Sequence, residues 1–72
     1  MAKDLHANIG HIAGLVWRCL ERNGRPMSCF EISLSIGVWP WKVLLALGWL
    51  SREGKVRLWW HLVALMAELK KH

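Results

Sequence analysis

Apolar residues recur near the start of the chain at three- and four-residue steps: Ile9, Ile12, Ala13, Val16, Trp17 and Leu20. That spacing lays them on one face of a helix, with Arg18, Glu21 and Arg22 opposite. Asn8 stands where an N-cap belongs. Asn23 and Gly24 end the pattern, and Pro26 follows just beyond, as expected past a helix C-terminus.

A second, shorter helix is announced by Ser28-Cys29-Phe30-Glu31. This is a capping box: the Ser28 hydroxyl accepts from the amide three residues on, and the Glu31 carboxylate accepts from the Ser28 amide. Met27 stands where a hydrophobic staple residue would. Phe30, Ile32 and Ile36 supply the apolar positions, and Gly37 is placed to close the helix after about eight residues. Pro40 suits the first position of a third helix, where its missing N–H costs nothing. Val43, Leu47 and Leu50 form the inward stripe of that helix. Trp41, Lys42, Leu45, Ala46, Trp49 and Arg52 are expected on its outer face, and Gly54 ends it.

Lys55 to Leu58 alternates polar and apolar, which suits a short strand. The remainder, Leu58 to His72, contains no Gly, Pro, Asn, Asp or Ser. Leu58, Leu62, Leu65, Met66 and Leu69 fit a helix face, and Lys70, Lys71 and His72 crowd an end where the macrodipole favours cations. A C-terminal helix over about Trp60 to Lys70 is therefore expected.

Helix, turn, short capped helix, tight turn at Gly37-Val38-Trp39, third helix, strand: this order is that of a winged helix-turn-helix. The expected fold is mainly α, a three-helix core with a short or degenerate β-wing and a C-terminal helix. One domain over residues 1–72 is expected, with its core at about 8–58 and the C-terminal segment at 59–72. Three-helix domains that bind proteins share the pattern.

The run Leu44-Leu45-Ala46-Leu47-Gly48-Trp49-Leu50-Ser51-Arg52-Glu53-Gly54-Lys55-Val56 resembles the signature of a family of small prokaryotic winged helix-turn-helix proteins, roughly "ALGWLAREGKI". The segment Ile9 to Trp17 is similar to the "IG…AG.IW" run of that family's first helix. The resemblance covers about residues 9–58 and implies a three-helix core, a β-wing and DNA binding. Two departures stand out. Trp39-Pro40-Trp41-Lys42 occupies the place of the family's Ser and acidic residues, and no turn residue brings the chain back after Lys55. A reduced or absent wing would remove one of two usual DNA contacts.

Length and charge narrow the function. Seventy-two residues are too few for a Rossmann or barrel domain, and a chain this short buries only about 60% of its unfolded surface. The net charge is +5, with +1 in residues 1–36 and +4 in residues 37–72, so a polyanion should meet the second half. Lys42, Arg52, Lys55 and Arg57 are the candidate contacts to duplex DNA, weak and salt-dependent; a solvated basic face is the alternative for each.

Hydrophobic residues make up 54% of the chain, six of them Trp. Trp17 is expected in the core and Trp49 in packing. Trp39, Trp41, Trp59 and Trp60 cannot all be buried in one copy, and exposed apolar surface marks a partner site. Residues 58–70, apolar around much of a helix, are therefore expected to pair two copies, with Trp59, Trp60, Val63 and Met66 at the interface. The alternative to DNA binding is a protein-interaction domain on the same fold. A third reading is an interfacial membrane helix built on Trp59, Trp60, Lys70 and Lys71.

Cys19 and Cys29 are expected to be free thiols in a reducing, cytoplasmic compartment. No apolar run approaches the roughly 20 residues of a membrane span. His6, His11, His61 and His72 match no closed zinc spacing. No nucleophile–base set or phosphate loop appears, so neither enzyme chemistry nor a cofactor is expected.

Overall fold

The computed structural model describes residues 5–70. Helix α1 spans Leu5–Asn23, strand β1 Met27–Ser28, helix α2 Cys29–Ile36, helix α3 Pro40–Arg52, strand β2 Val56–His61 and strand β3 Ala64–Leu69. This is a winged helix-turn-helix: three helices and a small antiparallel sheet of order β1-β3-β2.

Helix α1 runs through Asn8 instead of starting there. Asn23 closes it, donating from its side-chain amide to the Cys19 carbonyl at 2.8 Å, and Gly24 at φ 63° donates back to Leu20. The capping box of α2 is complete. The Glu31 amide donates to Ser28 Oγ at 3.0 Å, and the Ser28 amide donates to Glu31 Oε1 at 2.9 Å. Gly37, at φ 69°, ends α2 in the left-handed conformation, with its amide on the Ser33 carbonyl at 2.9 Å. The buried Ser33 hydroxyl donates to the Val38 carbonyl. These bonds fix a tight turn, and α3 leaves it at 111° to α2.

The C-terminal helix expected over residues 60–70 does not form. Residues 56–69 fold as a hairpin, with Val56 opposite Leu69 and His61 opposite Ala64. The reason is pairing. A strand at 64–69 satisfies the backbone of β2 on one side and of Met27 and Ser28 on the other, which a helix would leave open. It also turns Val56, Leu58, Leu65, Ala67 and Leu69 toward the helices. A full wing is therefore present, with Leu62 and Val63 alone as its turn. Lys71 and His72, assigned to the end of the expected helix, lie outside the described residues.

The core joins all three helices to the sheet: Val16, Leu20, Ile32, Val43, Ala46, Leu47, Val56 and Ala67 are all but sealed from solvent. Trp17 is half-buried against this cluster. Cys19 and Cys29 are buried free thiols. No single helix among the described residues is long and apolar enough to cross a membrane.

Candidate nucleic-acid interface

Four residues of α3 point into the core: Val43, Ala46, Leu47 and Leu50. Ala46, expected on the outer face, is fully buried on the inner one: on the helical wheel it stands beside Leu50 at the edge of the inward stripe, where the packed elements close over it. The line directly opposite is Trp41, Leu45, Gly48 and Arg52, all exposed. Trp49 stands at the flank, toward α1, where a Cβ on Gly10 would lie 3.9 Å from its ring. The outer face thus offers one guanidinium among apolar groups. Base edges are read by paired donors and acceptors, and this face carries few of them.

The four candidate DNA contacts sit in different surroundings. Lys42 is half-buried, its ammonium 5.5 Å from the centre of the Trp41 ring. Arg52 and Lys55 are exposed at the end of α3 and the start of the wing. Arg57 is partly committed: it donates to Glu68 at 2.9 Å across the wing and lies over Trp59 at 5.8 Å. The structure brings Arg52, Lys55 and Arg57 to one end of α3 and the adjoining wing, while Lys42 stands at the other end of the helix.

The fold adds two cations that sequence reasoning did not assign to this surface. Arg18 of α1 lines the same shallow depression as Lys55, between α1 and α3. Lys70 donates its amide to the Lys55 carbonyl at 2.9 Å, which pairs the backbones of these two exposed lysines at the base of the wing. Neither proximity has a local signal, since the pairs are 37 and 15 positions apart in the chain. Among the described residues the ion pairs are Arg57–Glu68 and the exposed Arg25–Glu31, so Lys42, Arg52, Lys55 and Lys70 have no carboxylate partner.

Trp59, Trp60, Val63 and Met66, expected to line one dimer interface, do not share a face. Trp59 and Met66 stand opposite each other on the outer side of the wing, Trp60 opposite Leu65 on the other side, and Val63 in the turn. The helix that would have collected them is a hairpin.

The Ser28 amide, and after it the Arg25 guanidinium, hold the Glu31 carboxyl below its usual range. Burial pushes the Cys29 thiol up. Among the described residues no three His, Cys, Asp or Glu side chains gather as a metal site would require.

Comparisons with known proteins agree with this geometry. A solved structure of HOP2, concerned with DNA recognition and protein interaction domains and with homologous DNA pairing, superposes with a TM-score of 0.74. The match spans 81% of this chain and 97% of the other at 22% identity, which shows a shared fold. No curated protein matches the sequence. The family model of the Winged helix-turn-helix domain (DUF2582) matches residues 1–61. With most of its length inside that match, and with the capped α2, the Gly37 turn and the wing all formed, the chain belongs to this winged helix-turn-helix family.

Proposed function

We propose that the domain binds duplex DNA through the phosphate backbone, with α3 against the major groove and the wing beside it, and that it serves as a small non-enzymatic regulator. The observation behind this reading is the set of cations without carboxylate partners among the described residues, Lys42, Arg52, Lys55 and Lys70, placed along α3 and the base of a complete wing. Contacts of that kind give position on the duplex and carry little sequence information. The HOP2 neighbour, whose structure concerns DNA recognition, supports the reading at the level of fold. Affinity for random duplexes should be micromolar or weaker and should fall steeply with salt. Replacing Lys42 and Arg52 by Ala should flatten the salt dependence by about one unit of log–log slope for each phosphate no longer neutralised. Fluorescence anisotropy over a salt series measures both, and no binding at low salt would sink the reading.

A second reading is favoured by a specific observation: Trp39, Trp41 and Leu45 are exposed around the start and outer face of α3. On this reading α3 docks a protein, a second copy of the chain being the first candidate. Buried free thiols suit a reducing compartment in either case.

A further inference from the structure

Trp39 stands at the N-cap of α3, where Ser, Thr, Asp or Asn is favoured, and its side chain makes no cap bond. The core does not claim it either, because 70% of its surface is exposed. Leu34, on the outer side of α2, is 86% exposed and lines the same depression as Trp39, together with Ser33, Val38 and Pro40. Phe30 lies four residues before Leu34 on the same face of α2 and is 57% exposed. The Cys29 thiol meets the Pro40 carbonyl at 3.5 Å, which holds the starts of α2 and α3 together and continues the surface from Phe30 to the exposed Leu44. Large apolar groups are thus gathered at the elbow of α2 and α3, where neither capping nor the core explains them.

Charge and area decide what covers them. Ile32 to Trp41 is the longest run of the chain without Asp, Glu, Lys, Arg or His. The residues that bound the run do not charge the elbow. The Glu31 carboxylate accepts from the Ser28 amide and from Arg25, and Lys42 lies roughly 160° around α3 from Leu44. A nucleic acid, an acidic peptide or a lipid headgroup therefore finds no ionic contact there. A second copy of the chain fits better. Copies of net charge +5 repel one another, and a neutral face is where they approach at least cost. At about 150–250 Å² for a large apolar side chain, the exposed parts of Phe30, Leu34, Trp39 and Leu44 come to about 400–650 Å² per copy. Two copies together bury about 1,000 Å², where specific interfaces begin. We infer that two copies of the chain pair across a two-fold axis through this elbow, with Trp39 of each seated in the depression beside Leu34 of the other. The arrangement is self-complementary, since each copy offers one ring and one depression, and Trp is enriched among the anchors of such contacts. The inference goes beyond the readings above: the contact is placed on α2 and the elbow, and the outer line of α3 through Leu45, Gly48 and Arg52 stays outside it.

The test follows the full chain and two single variants, Leu34→Lys and Trp39→Ser, over a concentration series by sedimentation and by amide NMR. Both variants are chosen to keep the fold. Ser is a favoured N-cap, and a cation suits the last turn of α2 while setting like charges across the axis. Thermal melts of the dilute proteins check this. The wild type should pass from one 8.3 kDa chain to two, with a midpoint at about 10–100 µM for an interface of this size. Over that passage the amides of Phe30, Leu34 and Trp39 should shift while those of the wing turn stay in place. Each variant should raise the dissociation constant about thirtyfold or more, the loss expected of an anchor. A wild type that remains monomeric well above that range overturns the pairing and leaves the elbow to a different apolar partner. A dimer whose shifts fall on the wing or on the outer line of α3, or one that both variants leave intact, overturns it as well. Duplex binding, measured by anisotropy, is a separate readout that none of these outcomes decides.

Discussion

Ser28 serves two structures at once: its backbone pairs with Met66 in the sheet while its hydroxyl caps α2. Replacing it by Ala should cost about 1 kcal/mol, and Glu31→Ala should cost less. Because the two bonds close one ring, the double mutant should lose less than the sum, which urea melts of the three variants would reveal. Glu31 also makes stability depend on pH. Its carboxyl is held below the usual value in the folded chain, chiefly by the Ser28 amide. The stabilisation is therefore complete above the ordinary glutamate pKa of about 4.3 and is lost as pH falls through the lowered folded value. The gap in stability between wild type and Glu31→Gln should be constant near neutrality and close in acid. It should also stay small, because the group is exposed. Burial raises the Cys29 thiol, so alkylation in the native protein should be slow and should accelerate with mild denaturant. This level of detail was open to sequence reading where the chemistry is local. Ser28, Glu31 and Gly37 could be placed from spacing alone, whereas Ala46 could not, since its side is decided by which faces α1 and the wing leave open.

Among the elements, the helices announced themselves and the wing did not. In β2 and β3 the outer side carries Arg57, His61 and Glu68 but also Trp59, Ala64 and Met66, so the alternation that marks a strand is blurred. The turn hides too, because Leu62 and Val63 are not turn residues, and apolar residues at 58, 62, 65, 66 and 69 happen also to fit a helix. What decides in favour of strands is the neighbouring backbone of Met27 and Ser28, 38 or more positions away, which no local window contains. Glycines separate the two kinds of constraint. Gly37, at φ 69°, ends α2 where a Cβ is disfavoured, so Gly37→Ala should destabilise by about 1–2 kcal/mol. Gly48 sits inside α3 with ordinary backbone and nothing within 4 Å of where a Cβ would be. Gly48→Ala should therefore stabilise by about 1 kcal/mol, the helix-propensity difference. Thermal or urea melts showing the same sign for both would contradict this account of the two positions.

At the scale of the whole molecule, the question is why a domain should keep a helix-weakening glycine in the middle of an exposed face. Gly48 lies between Leu45 and Arg52 on the outer line of α3, and its missing side chain permits close approach by whatever docks there. That line is apolar at Trp41 and Leu45 and basic at Arg52, so it can serve either a phosphate backbone or an apolar protein surface. The two readings part on a single pair of variants. Trp41→Ser with Leu45→Ser removes exposed apolar groups, and substitutions of that kind usually change stability by less than about 0.5 kcal/mol each. If α3 faces DNA chiefly through Lys42 and Arg52, the serine variant should keep duplex affinity within about threefold and the full salt slope, while Lys42→Ala with Arg52→Ala loses both. If α3 instead docks protein, the serine variant should abolish self-association in sedimentation at tens of micromolar and the alanine variant should leave it intact. We expect the first pattern. Retained self-association in the alanine variant, together with its loss in the serine variant, would transfer α3 to a protein partner and leave DNA contact to the wing and its base.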